Sequence, residues 1–173
     1  DQARAARHRS TLVFAGERAE SVHLAGQLLH LLEYRDVAWY SDEVPEGRRD
    51  CFAAAAFGLL GTEIDALVFD AWSGFDPDAF GALTGSLRAG GLLVLIVPGL
   101  ASWPTYDDPQ KHRIRVFPFA AADVGGRFIA RLVRLIRDDR DSMLVEQGRL
   151  TRTPESIEPL VARQRRGGRL PRG

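Results

Sequence analysis

Residues 66–98 read ALVFDAWSGFDPDAFGALTGSLRAGGLLVLIVP, and the order of signals within them decides the fold. The opening ALVFD is apolar enough to be a strand buried on both faces, as strands of parallel sheets are. Asp76 then stands where a helix N-cap is wanted, and Pro77 takes the first helical position, where a missing N–H costs nothing. The helix so begun carries Phe80, Leu83 and Leu87 and is expected to stop at Gly90-Gly91. The run 92–98, LLVLIVP, is the most hydrophobic in the chain and reads as a central strand. Strand, helix and strand in this order predict a parallel sheet with helices packed on its faces.

The alternation continues in both directions. Residues 10–16 (STLVFAG) form a short apolar run ending in Gly, a first strand. Ala25, Leu28, Leu29 and Leu32 are spaced i, i+3, i+4, i+7, so the next segment is an amphipathic helix. Residues 37–40 give a second strand, the turn-rich DEVPEG follows, and 51–60 read as an Ala-rich helix closed by Gly61. After the central strand, 99–112 form a polar loop carrying Trp103, Pro104, Tyr106 and Pro109, and 114–117 are expected as a fifth strand. A last helix is expected over 122–138, with Val124, Phe128, Leu132, Leu135 and Ile136 on its apolar side. SMLVEQGRLT (142–151) reads as a hairpin turning at Gly148.

The expected fold class is α/β: a three-layer α/β/α sandwich with a mainly parallel, Rossmann-like sheet of about five strands, plus a C-terminal hairpin. Residues 1–9 are an N-terminal segment, 10–150 the domain, and 151–173 a basic flexible tail or linker. From residue 159 on, Arg163, Arg165, Arg166, Arg169 and Arg172 stand among Gly and Pro without an acid.

Composition bounds the function. At 173 residues, 45% hydrophobic and 27% charged, the chain suits one globular domain. Its 23 basic and 23 acidic residues cancel, so no global field draws it to nucleic acid. Lys111 is the sole lysine; the other basic residues are arginine. Cys51 is the only cysteine, which excludes an internal disulfide and a Cys-based zinc site and fits a reducing cytoplasm. No apolar run approaches the roughly 20 residues of a membrane-spanning helix. The opening DQARAARHRS is basic, but no apolar core of a signal peptide follows it.

Within 66–98, Val68-Phe69-Asp70, Gly74-Phe75-Asp76, Ala79-Phe80-Gly81-Ala82-Leu83 and Gly85-Ser86-Leu87-Arg88-Ala89-Gly90 follow one another ahead of the apolar strand. This succession resembles the N-terminal domain of bacterial tRNA(Met) cytidine acetyltransferase. STLVFAGE and GRFIARLVRLI are similar to that family's first strand and fifth helix, so the resemblance covers residues 10 to about 150. It implies an accessory domain, non-catalytic by itself, followed in the same polypeptide by a helicase-like P-loop ATPase module, an acetyltransferase domain and a tRNA-binding tail. It further implies ATP and acetyl-CoA for the full-length enzyme and none in this chain. The product would be N4-acetylcytidine at the wobble position of the elongator methionine tRNA. The implied partners are the downstream domains and tRNA, with no membrane, in the cytoplasm.

The residues themselves supply no catalytic or metal-binding motif. Lys111 sits in QKHR without the Gly-rich loop of a phosphate-binding P-loop. Gln164–Arg169 nearly spells an acetyl-CoA loop, but Arg169 stands where a small residue is needed and Pro171 follows. Gly16 leads into Glu17-Arg18-Ala19 and not into a dinucleotide fingerprint. Ala71 replaces the first Gly of a nucleophile elbow around Ser73. Asp70 ends a strand where open α/β sheets place ligand groups, although a lone carboxylate there more often caps its own loop. His23 and His30 are seven apart, too far for a helical metal pair. Cys51 at a helix start more often packs than reacts.

Two features could meet RNA. Arg127, Arg131 and Arg134 fall at i, i+4, i+7, one stripe able to follow a phosphate backbone, against the ordinary alternative of a solvated face pairing with Asp138, Asp139 and Asp141. Trp72, Trp103 and Tyr106 lie in loops after strands and could stack on bases, although such rings more often pack on a domain. The rival from another class is a small adenosylmethionine-dependent methyltransferase, since ALVFDA and LRAGGLLVLIVP also suit that fold; the missing Gly-rich first loop weighs against it. A stand-alone flavodoxin-like regulator would need a switch lysine at a strand's carboxyl end, whereas Lys111 precedes the expected fifth strand.

Overall fold

All seven residues of strand Ile64–Asp70 are buried, as are all but three of strand Leu87–Val97, which is what a strand covered on both faces requires. The computed structural model describes residues 7–42, 49–50 and 57–154. In chain order these form β1 (Ser10–Ala15), α1 (Arg18–Leu31), β2 (Val37–Tyr40), β3 (Arg49–Asp50), β4 (Ile64–Asp70) and α2 (Pro77–Gly85). Then follow β5 (Leu87–Val97), α3 (Arg127–Asp138), β6 (Met143–Glu146) and β7 (Arg149–Arg152). The sheet order is β3-β2-β4-β5-β1-β6-β7. Every neighbouring pair is parallel except the β6–β7 hairpin. Six strands have four residues or more and β3 has two, so the sheet is wider than the expected five.

Successive residues of a strand point to opposite faces, and the core divides accordingly. Leu12, Phe14, Trp39, Val68, Val94 and Ile96 cover one face, beneath Ala25 and Leu29 of α1. Val13, Tyr40, Leu67, Phe69, Leu95 and Val97 cover the other, beneath Ala79 and Leu83 of α2 and Val133 and Ile136 of α3. This is the three-layer α/β/α sandwich expected from the sequence, with the apolar β5 inside the sheet between β4 and β1.

Several local readings are corrected. Residues 114–117 are no strand: Lys111–Ile114 is a 3-10 turn and 112–120 are exposed throughout. The place beside β1 belongs to β6, so the hairpin joins the main sheet. The helix capped by Asp76 stops at Gly85, and Gly90-Gly91 lie inside β5. There Gly90 has φ +80°, and a Cβ on Gly91 would stand 2.9 Å from the carbonyls of Asp65 and Arg88. The pair therefore marks the irregularity where β4 and β5 shift register, not a helix end.

Helix α3 begins at Arg127 and buries Val133 and Ile136, whereas Phe128 and Leu135 are 48% and 56% exposed. Leu32 lies beyond α1 and is likewise exposed. Of the expected 51–60 helix, 51–56 lie outside the described residues and Phe57–Leu59 is a 3-10 turn. The segment 1–6 and the tail from 155 onward also lie outside them, while β7 carries the sheet to Arg152.

Candidate interaction surfaces at the carboxyl ends of the strands

Asp70, the last residue of β4, is fully buried and draws the neighbouring loops together. Its Oδ1 accepts from the Trp72 amide at 3.0 Å, the local cap expected from sequence. Its Oδ2 accepts from Arg18 Nε at 2.9 Å, Arg18 Nη2 at 2.7 Å and Ser41 Oγ at 2.7 Å. Arg18 Nη2 also donates to Asp42 Oδ1 and, at 2.7 Å, to Ser73 Oγ. Burial works to lower the Arg18 pKa, yet its bonds to Asp42 and Asp70 leave it raised. Burial likewise works to raise the Asp42 pKa, but hydrogen bonds from Ser73 and Arg18 hold it below the usual carboxylate range. Among the described residues, two carboxylates thus enclose one cation, and the arrangement is a latch between α1 and the loops after β2 and β4. An anionic substrate would meet the wrong charge there.

The loop after β1, where Rossmann-like folds receive a phosphate, lies against the β6–β7 turn. The Gln147 amide donates to the Ala15 carbonyl at 3.0 Å, and a Cβ on Gly16 would meet the Gln147 backbone at 3.3 Å. The β6–β7 turn therefore packs directly against the loop after β1, and the methyltransferase reading is not favoured.

The motif Gly74-Phe75-Asp76 is a clamp. A side chain on Gly74 would strike Gln110 Cγ at 2.5 Å, and its φ of +103° suits only glycine. The Phe75 amide donates to Asp108 Oδ2 at 2.8 Å, and its ring lies 5.2–5.9 Å from those of Phe69, Phe80, Trp103 and Phe128. Asp76 caps α2 through the Asp78 and Ala79 amides, while its Oδ2 accepts from Arg113 Nη1 at 2.6 Å. The three residues fasten the long loop after β5 across the carboxyl edge of the sheet. Between that loop and the start of α3 lies a cavity of about 90 Å³ lined by Phe75, Trp103, Tyr106, Ile114, Phe128 and Ile129. Beyond it, Val116, Phe117 and Phe119 stand exposed. This apolar lobe escapes sequence reasoning because IRVF alternates like a strand; Pro118, unable to donate to a ladder, is the signal against it.

Arg127, Arg131 and Arg134 are all exposed on α3, and none is in an ion pair among the described residues, so the expected pairing with Asp138, Asp139 and Asp141 is not formed. Arg127 stands in the first turn, the positive end of the helix dipole, and no acid shares that turn. Trp103 is 1% exposed and therefore unable to stack on a base; Trp72 and Tyr106 pack edge to face at 5.3 Å. His23 and His30 are exposed, and Cys51 lies outside the described residues. Among the described residues, no acid, histidine and cysteine cluster could hold a metal, and no helix is long and apolar enough to cross a membrane.

Comparison with known proteins gives this architecture a family. The family model described as "tRNA(Met) cytidine acetyltransferase TmcA, N-terminal" matches residues 1–147. A protein named tRNA(Met) cytidine acetyltransferase TmcA from Nitrosococcus halophilus is 41% identical over 98% of this chain, which covers 22% of that protein. Proteins of the same name from Haloferax volcanii and Pectobacterium atrosepticum are 36% and 33% identical over 84% and 90% of the chain, covering 20% and 21% of their lengths. The chain thus spans about a fifth of the curated relatives it matches. With the match reaching from residue 1 to the β6–β7 turn, the chain belongs to the TmcA N-terminal domain family.

Proposed function

We propose that this chain is the non-catalytic accessory module of an ATP-dependent tRNA(Met) cytidine N4-acetyltransferase, which makes N4-acetylcytidine at the wobble position in the cytoplasm. The observation that carries the reading is the closure of the sheet's carboxyl edge by the chain's own groups: Gln147 against Gly16, and Arg18 between Asp42 and Asp70. These residues do not fit ATP or acetyl-CoA, which belong to helicase-like and acetyltransferase domains of the same polypeptide. Detectable ATP hydrolysis or acetyl transfer by this chain, abolished by a point substitution within it, would overturn the assignment.

Within this reading the module contacts tRNA weakly through Arg127, Arg131 and Arg134. Residues 110–137 hold seven cations and one acid in a chain of zero net charge, so positive potential gathers where the whole protein has none. The three side chains are exposed, and replacing all of them with Gln leaves the buried Val133 and Ile136 in place. The triple variant should fold as before and flatten the dependence of log K on log salt by about 0.7–0.9 per lost phosphate contact. Salt titration against a methionine tRNA transcript reads this directly. Identical binding by both proteins, or none by either, removes RNA from the stripe.

A further inference from the structure

Among the described residues, half of the exposed large hydrophobic side chains sit in one place. Ile114, Val116, Phe117, Phe119 and Phe128 are 45%, 71%, 94%, 61% and 48% exposed. The lobe has internal ties: the Phe119 amide donates to the Val116 carbonyl at 2.9 Å, and the Ala120 amide to Asp123 Oδ2 at 2.7 Å. Arg113 ties its base to the cap of α2. The exposed parts of the three phenylalanines alone amount to about two whole rings, on the order of 300–500 Å². That is the size of the largest apolar patch on a typical monomer, which is commonly functional. Ile114 and Phe128 also line the cavity beside Phe75 and Trp103, which joins the projecting segment to the start of α3.

We propose that this lobe is the docking surface for the downstream part of the same polypeptide, an inference that rests on the chain being one module of a longer acetyltransferase. The chain covers 20–22% of the relatives named above, so most of such a polypeptide remains to pack against this module. Ile114, Val116 and Pro118 offer shape to a protein surface and nothing to a nucleotide base, while Arg113 is already paired with Asp76. Aromatic side chains and arginine with little lysine make up the composition of interface centres. The surface that covers the lobe is apolar at its middle and acidic at its rim, opposite Lys111 and Arg115.

Hydroxyl-radical labelling, read by mass spectrometry on the 173-residue chain and on the full-length polypeptide that carries it, tests the assignment. Labelling of Phe117 and Phe119 should fall to about a tenth in the full-length protein, as for rings from which an interface excludes water. In full-length protein carrying Phe117→Ser and Phe119→Ser, labelling of Phe128 should rise to its level in the short chain. Equal labelling of both proteins, with tRNA acetylation intact, refutes the docking and leaves the accessory role standing. Protection that appears only when tRNA is added assigns the lobe to RNA instead, and protection in the short chain that grows with its concentration assigns it to a second copy. A full-length protein that fails to acetylate tRNA contradicts the parent reading separately, because labelling does not depend on activity.

Discussion

Arg18→Gln should destabilise the fold more than Asp70→Asn, although each breaks the same ion pair. The Asp70 side chain is fully buried and that of Arg18 is 20% exposed. Without Arg18, the donors that Asp70 keeps among the described residues are neutral: Ser41 Oγ at 2.7 Å, the Trp72 amide at 3.0 Å and Ser73 Oγ at 3.3 Å. Removing one partner of a buried pair typically costs about 3–5 kcal/mol, because the other charge is stranded away from water. Without the Asp70 charge, Arg18 keeps Asp42 and an outlet to solvent, so the loss is nearer that of charge-assisted hydrogen bonds, about 1.5–3 kcal/mol. At ~2–4 °C per kcal/mol for a chain of this size, Arg18→Gln lowers Tm by roughly 6–20 °C. Urea unfolding of both variants and the double variant gives the coupling, expected at about 0.5–3 kcal/mol. A larger loss for Asp70→Asn, or a double variant equal to the sum of the singles, would refute the latch.

Gly126→Ala should cost about 1–3 kcal/mol or more, because its Cβ would run into the Pro104 carbonyl oxygen, whereas Gly125→Ala meets nothing within 4 Å and should be tolerated; thermal unfolding separates them. Val133→Ala should destabilise by about 1–3 kcal/mol and Leu135→Ala by less than about 0.5, and the reverse order would restore the sequence-based face of α3. Since the Asp42 pKa is lowered on folding, its stabilisation is present above its ordinary value of 3.8 and is lost as pH falls below it; Asp42→Asn should blunt that part of acid unfolding. Burial raises the pKa of Tyr40 and Tyr106, so their contribution holds below pH 10 and is lost at higher pH, with tyrosinate absorbance appearing as the fold opens.

Much of the frame was legible locally. The Asp76-Pro77 cap, the apolar runs ALVF and LLVLIV and the hairpin turn at Gly148 are short-range signals; the structure places the cap and the turn as read and the two runs within β4 and β5, which start earlier, at Ile64 and Leu87. The V-F-D and G-F-D blocks that carry the family resemblance are legible as sequence, but their purpose is not. Asp70 meets Arg18 across 52 residues and Asp76 meets Arg113 across 37, and no periodicity encodes either encounter. The fifth-strand reading failed for the same reason: IRVF has a strand's alternation, but the edge of β1 is paired with β6, from the far end of the domain, and 112–120 lie exposed.

The sequence by itself determined the fold class and the identity of the central strands, because hydrophobic period, caps and turn residues act over a few positions, and it pointed to the family through the resemblance of its V-F-D and G-F-D blocks. The tertiary structure alone decided that β6 and β7 extend the sheet, that Gln147 packs against Gly16, and that Ile114–Phe119 project while Val133 turns inward. Each of these depends on which distant segments exclude water together, a competition settled by packing over the whole chain and not by any local pattern.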